Sequence, residues 1–378
     1  MEAIRRLSVS VVALATALAG SGTASAQMEL VYGAWTPPRV YENAVVFPEV
    51  FKNIEKETNG AIKWKLVAGG QLADGKATFG AVRDNVMQAG IGIATYVPNI
   101  VPSLYLIYST LLFGHNDVVA ATGAASETFY LNCPSCIEEF KRMDAVPLAT
   151  WDSSSYVLAC REPVRTVAEM KGKRVRVTGG YVEMIKVAGG VPVSATLVEG
   201  LSLIQRGGID CQLGVADWLR TVGYADFAKY VLDHPLGISG PAIGFMLNRN
   251  AWNKFTPEQK RIHMKYAAWA AAKVSIGMFL ESNEESLKWA VKEKGAQLLQ
   301  TDGKDWEAVV ATYKKIEHER NTATGVQFGV KNPGAIGDKY EQLVPRWRAL
   351  SKDIGRDVDK FTEVLIREVY SKIDLGKL

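Results

Sequence analysis

The sequence predicts a two-lobed α/β protein. Each lobe is a sheet flanked by helices, with a long helix between the lobes and a helical C-terminus. Three observations lead there. From residue 28 the apolar positions switch between strand period and helix period in β-α-β order. The alternation restarts near residue 151, which marks a second unit. The stretch from Thr256 to Gly295 is helix-forming with little interruption, long enough to span two lobes.

The first 26 residues form no part of that fold. Arg5 and Arg6 make a basic start, Leu7 to Leu18 is mostly apolar, and Ala24-Ser25-Ala26 is an A-x-A cleavage site. A secretory leader cut before Gln27 is expected, with the mature chain in the periplasm. No later apolar run is long enough for a membrane span. Removing 26 of 378 residues leaves 352, which suits about two domains. Loss of Arg5, Arg6 and Glu2 takes the net charge from +4 to +3. So mild a balance argues against a nucleic-acid partner.

"MELVYGAW" is a strand running into a loop at Trp35. "YENAVVFPEVFKNIEKETNG" places Val46, Phe47, Val50, Phe51 and Ile54 at helical spacing, and Gly60 stops the helix. "AIKWKLVAGG" alternates Ile62, Trp64 and Leu66 against Lys63 and Lys65, a strand with one wet face. "GKATFGAVRDNVMQAG" is expected as a helix and "IGIAT" as a buried strand. Strands in that order predict a parallel sheet. In the second unit "SSYVLAC" is a strand. "TVAEMKG" is a short helix with Thr166 and Glu169 as a capping box. "KRVRV" follows as a strand, with Val175 and Val177 on one face and Arg174 and Arg176 on the other. Helix "YVEMIKVAGG", strand "VPVSAT", helix "VEGLSLIQRGG" and strand "IDCQLGV" continue the pattern, and "AIGFMLNRNAW" is a further strand. Thr256 and Pro257 open the long helix as N-cap and first-turn proline.

The tail from Asp338 is helical and amphipathic. Leu343, Trp347, Leu350, Ile354, Val358, Phe361, Val364, Leu365 and Val369 are its core or interface positions. That stripe would permit a homodimer; a monomer is equally compatible. Lobe one is expected over residues 28–152 plus about 235–280, and lobe two over 153–234 plus about 281–330. Residues 331–378 form a C-terminal helical extension.

Export permits disulfides. Cys133-Pro134-Ser135-Cys136 fits a redox pair, half a zinc site or a local structural disulfide. The third is preferred, because further zinc ligands are scattered. Cys160 and Cys211 are expected as small apolar core side chains. The chain has no G-x-G-x-x-G, Walker A, G-x-S-x-G or H-E-x-x-H motif. No carboxylate pair is marked as acid and base. A binding protein without cofactor or metal is expected rather than an enzyme. Aromatic residues stand at strand ends and domain junctions: Trp35, Trp151, Tyr156, Tyr181 and Trp218. Open sheets hold ligands at such places.

Three segments, "EMKGKRVRV", "VEGLSLIQRGGIDCQ" and "HPLGISGPAIGFMLNRNAWNKFTPEQK", resemble the DctP-like substrate-binding proteins of TRAP transporters. Matching positions run in order through Lys171, Gly172, Arg176, Gly189, Pro192, Gln205, Gly207, Asp210, Gln212, His234, Asn248 and Thr256. The resemblance spans nearly all of the mature chain. It implies a periplasmic-binding-protein fold that closes two lobes over a small organic acid. It also implies delivery of that acid to a sodium-coupled membrane permease. At Arg176 it implies the guanidinium that pairs with the ligand carboxylate, a planar fork of donors matched to two oxygens. Gly179 would let backbone approach the ligand. Gln71 and Gln212 offer hydrogen bonds, and Trp35, Trp151, Tyr156, Tyr181, Trp218 and His234 shape the pocket.

Departures from the family pattern bear on the ligand. Tyr156 stands where sugar-acid binders have a second arginine, Gly214 where they have an asparagine, and Trp35 where a polar residue is frequent. Each exchanges polarity for aromatic surface or space. A monocarboxylate with an apolar, aromatic or betaine-like body is therefore expected. Two other functions remain open on the sequence: a periplasmic thiol–disulfide enzyme built on Cys133 and Cys136, and a ligand-sensing ectodomain.

Overall fold

The computed structural model describes residues 27–113, 116–232 and 234–378. The expected leader lies outside the described residues. Eleven strands are placed among them: β1 Met28–Gly33, β2 Ile62–Val67, β3 Ala89–Gly92, β4 Ala145–Trp151, β5 Val157–Cys160, β6 Arg174–Val177, β7 Val191–Ser194, β8 Cys211–Gly214, β9 Tyr230–Leu232, β10 Ala242–Asn248 and β11 Gln297–Leu299. They make two sheets, ordered β2-β1-β3-β10-β4 and β11-β9-β5-β8-β6-β7. Helices flank both, and the architecture is the two-lobed α/β arrangement expected.

The sheets are mixed rather than parallel. β1 runs parallel to β2 and β3, but β10 lies antiparallel between β3 and β4. In the second sheet β6 is parallel to β7 and β8, while β5 is antiparallel to β8 and β9. The reason is connectivity. β10 returns from the second unit to complete the first sheet, so it enters from the opposite direction. All seven of its residues are buried, as a central strand requires.

Other local expectations change in detail. The helix expected over 75–90 is cut to Thr78–Arg83. "TVAEMKG" forms one 3₁₀ turn, Ala168–Met170, although Glu169 does accept the Thr166 N–H at 3.2 Å. Helices Pro102–Ser109, Val118–Leu131 and Lys304–Gln327 were not legible in the sequence pattern. The first two are buried on nearly every side, so they carry no amphipathic stripe.

Among the described residues the chain passes from one sheet to the other three times, and helix Lys304–Gln327, packed on helices of both sides, carries it back toward the first. Segments 152–156 and 237–239 run side by side: Ser153 N–H donates to Ser239 O (3.1 Å) and Tyr156 N–H to Gly237 O (2.8 Å). The third passage is a helical rod of Pro257–Lys273, a π-helical stretch Val274–Ser282 and Asn283–Lys294. Thr256 caps it, with Gln259 closing the box. The rod packs first on β4 and then on the helix Asp217–Thr221 of the second sheet.

The C-terminal stripe is spent within the chain. Leu343, Trp347, Ile354, Phe361, Leu365 and Val369 are all buried. Helix Gly334–Ile354 lies along Val118–Leu131, and Val358–Glu368 along Pro257–Lys273. Leu350, Val358 and Val364 of the same stripe are only partly buried.

Cys133 and Cys136 form a disulfide at the start of helix Pro134–Arg142, both fully buried. Cys160 and Cys211 do not remain apolar thiols as expected: they form a second disulfide. They face each other on antiparallel β5 and β8, and Arg161 N–H to Asp210 O (3.0 Å) makes the next pair the hydrogen-bonded one. That leaves 160 and 211 a close, non-hydrogen-bonded pair with Cα atoms 4.0 Å apart. Only the strand register reveals this partnership.

Candidate functional site

Arg176 is the third residue of β6, next to Val193 on β7 and Gln212 on β8. Its side chain is 2% exposed. Nε donates to Ala195 O at 2.9 Å and Nη2 to Tyr96 Oη at 3.2 Å. The Trp218 ring lies 6.0 Å from its guanidinium carbon. No carboxylate pairs with it among the described residues. Arg174, on the same strand face, sits instead at the surface in an ion pair with Asp210 (2.7 Å). Burial therefore separates two arginines that parity alone could not.

The local sequence shapes this seat. Helix Leu197–Gln205 begins with a capping box of Thr196 and Glu199 directly after β7. Its Gly200 lies against the Arg176 stem: a Cβ there would stand 2.9 Å from Arg176 Cγ and 2.4 Å from Tyr224 Oη. Gln212 is 3% exposed, and neither its oxygen nor its nitrogen has a hydrogen-bond partner. A buried amide with both ends bare is unusual and marks a place for a polar guest. Gly214 supports it, since a Cβ there would fall 2.2 Å from Gln212 Nε2 and 2.4 Å from Trp218. The space opened by Gly214 is thus already filled by the chain.

Beside this pole lies a small cavity of about 60 Å³ between the sheets, walled by Trp35, Trp151, Tyr156 and Trp218. Trp35 Nε1 donates to Ile91 O (3.0 Å), which fixes its ring edge-on to Tyr96. Trp151 is seated by Gly244, where any Cβ would strike the indole. Tyr156 stacks on Tyr181 at 4.7 Å and meets Trp218 edge-on at 5.9 Å. Burial pushes the Tyr156 hydroxyl up to about 12, so it stays neutral. Tyr181 does not line the cavity; it backs Tyr156 and donates to Gly237 O at 2.6 Å. Gly179, at φ +60°, packs on Thr95 and Ser109 of the opposite side, so it serves lobe contact rather than the wall.

Two further expected residues are not brought to the cavity. Gln71 is exposed in the loop after β2, donating to Ala68 O at 3.0 Å. His234 lies with its ring against Gly303. Trp151, Tyr156, Gln212 and Trp218 do gather around or beside Arg176 and Trp35. The wall also holds residues the sequence did not single out: Glu42, Tyr108, and Met278 and Phe279 from the π-helical stretch. π-Helical turns recur at functional sites. Tyr96, which meets Arg176, was missed too. Glu42 had a signal, because it precedes Val46 by four and so shares the apolar stripe with Val50 and Ile54.

The sides are joined in this conformation. Arg39 donates through Nε to Thr221 O (2.5 Å) and through Nη2 to Val222 O (2.8 Å). Lys76 pairs with Glu199 at 2.7 Å. Tyr96 Oη accepts the Leu197 N–H at 3.0 Å. Among the described residues no group of side chains could hold a metal ion, and no helix is long and apolar enough to cross a membrane.

A family model described as bacterial extracellular solute-binding protein, family 7 (DctP), matches residues 39–320. Solved structures agree in fold. A marine metagenome TRAP solute-binding protein specific for aromatic acid ligands, in complex with metahydroxyphenylacetate, has TM-score 0.75 at 17% identity. The match covers 85% of this chain and 99% of that one. A TRAP solute-binding protein from Rhodoferax ferrireducens with copurified benzoate gives 0.73 at 16%, covering 86% and 100%. One from Pseudomonas putida with bound D-glucuronate gives 0.65 at 20%, covering 81% and 98%.

Proposed function

Because the chain belongs to the bacterial extracellular solute-binding protein family 7, we propose that it captures a small organic monocarboxylate between its lobes. The observation that carries this is Arg176: a buried guanidinium with no carboxylate partner, beside an amide with both ends bare. A buried charge is costly until matched, and a carboxylate matches a guanidinium with two parallel hydrogen bonds. Gln212 supplies a further donor. Trp35, Trp151, Tyr156 and Trp218 then enclose an apolar or aromatic body. The solved relatives that hold aromatic acids support that choice of body. The wall has little polar surface for a sugar acid's hydroxyls.

Each sheet with its helices forms one lobe in this reading. The lobes take residues 28–152 with about 235–280, and 153–234 with about 281–330. The paired crossings at 152–156 and 237–239 are the hinge. Ligand binding favours the closed state by joining groups from both sides. Export through a cleaved leader puts the protein in the periplasm, where it hands its ligand to a sodium-coupled TRAP permease. The chain performs no catalysis of its own. Calorimetric titration of Arg176→Ala with any acid that binds the wild type tests this. Affinity should fall at least about a hundredfold; unchanged affinity would overturn the assignment.

A further inference from the structure

Glu42 is the only carboxyl among the described residues lining the cavity. It is 3% exposed, and its Oε2 has no hydrogen-bond partner. Burial, helped by nearby Asp217, pushes the carboxyl up to about 7, against a hydrogen bond from Thr36. It forms no ion pair with Arg176. Glu42 thus stands in the cavity wall with Trp35, Trp151 and Trp218, while Arg176 reaches the same surroundings through Trp218.

A buried polar atom without a partner calls for an explanation. In a residue of the cavity wall, an acceptor awaiting a donor from the ligand supplies one. A ligand that brings an O–H or N–H there relieves the cost of burial. One that lacks it leaves the oxygen bare and forfeits that gain. Discrimination of this kind is stronger than an apolar pocket achieves through shape.

We propose that Glu42 binds ligand at a second point, apart from Arg176, and that the cleft is built for carboxylates carrying a hydrogen-bond donor besides the carboxylate. The inference rests on the carboxylate reading of Arg176. Hydroxyl and ammonium are the two sources of such a donor. A hydroxyl needs only an acceptor oxygen; an ammonium needs the ionised carboxylate.

Matched acids separate these. One series is phenylacetate, 3-hydroxyphenylacetate and 3-(aminomethyl)phenylacetate. The other is hexanoate, 6-hydroxyhexanoate and 6-aminohexanoate. Titration of the mature chain should show a donor-bearing acid binding at least about tenfold tighter than its plain partner. Glu42→Leu should bring the two within about twofold. Glu42→Gln keeps an acceptor oxygen and the shape, and serves if the leucine variant does not fold. It should retain the hydroxy acid's advantage and abolish the ammonium's. Equal or tighter binding of the plain acids, or an advantage that survives in the foldable variants for both donor types, would overturn the role of Glu42. Failure of every acid to bind the wild type would instead overturn the carboxylate reading, and this inference with it.

Discussion

Arg176 and Tyr96 meet across the cleft, guanidinium nitrogen to phenol oxygen, at 3.2 Å. The same oxygen accepts the Leu197 N–H. A neutral hydroxyl from the first lobe thus stands beside a buried cation from the second. It satisfies one donor and neutralises no charge. No carboxylate among the described residues pairs with that cation.

Replacing that cation should reveal its cost. Arg176→Met keeps the stem and removes the charge. The ligand-free protein is expected to unfold at the same or a higher temperature than wild type, because an apolar side chain of similar length needs no counter-charge. Stabilisation by carboxylates should vanish. Thermal unfolding with and without ligand checks both, and a large loss of ligand-free stability would show that Arg176 is structural.

Arg39 holds the second unit through two backbone carbonyls, Thr221 O and Val222 O. Arg39→Ala should shift the population toward open forms and weaken ligand binding about 5- to 50-fold. Lys76→Ala, which breaks a half-exposed ion pair with Glu199, should change little. Small-angle scattering of the ligand-free proteins should show a larger radius of gyration for Arg39→Ala alone.

The two disulfides should differ in weight. Cys160 and Cys211 are 51 residues apart and close a long loop, so exchanging both for alanine should cost about 2–4 kcal/mol. Cys133 and Cys136, three apart, should cost less. Both sulfurs of that pair are buried, so a disulfide-reductase assay should show no turnover. Chemical denaturation of the two double variants checks the order.

Glu42 should leave a signature in pH. Its carboxyl titrates at about 7 when folded against an ordinary value of 4.5. Between those values the native state holds a proton the unfolded state has lost. Its contribution is full below about 4.5 and is lost as pH rises to about 7. Glu42→Gln should therefore gain on the wild type across that window, by about 1.4 kcal/mol per pH unit at most. Ligand-free unfolding midpoints at pH 5 and 8 check this; a constant difference would contradict it.

How much of this was legible in the sequence depended on what carried the signal. Period-two alternation in "KRVRV" put Arg174 and Arg176 on one face, and only the fold showed which end was buried. Trp35, Trp151, Tyr156 and Trp218 line the cavity, as strand ends that converge in such sheets allow. Gln71 and His234 lie away from it, and a loop's path and a ring's facing leave no periodic trace. Tyr96 and Tyr108 lie in 94–109, where short buried elements show no amphipathic contrast. Cys160 and Cys211 needed strand register, which no local pattern supplies.

The central claim is a carboxylate held by Arg176, and a thermal-shift panel of aromatic, aliphatic and betaine-like acids tests it most directly. At least one acid should raise the wild-type midpoint by several degrees, as preferential binding to the folded state requires. None should move Arg176→Ala. No shift in the wild type, or the same shift in both proteins, would contradict the account.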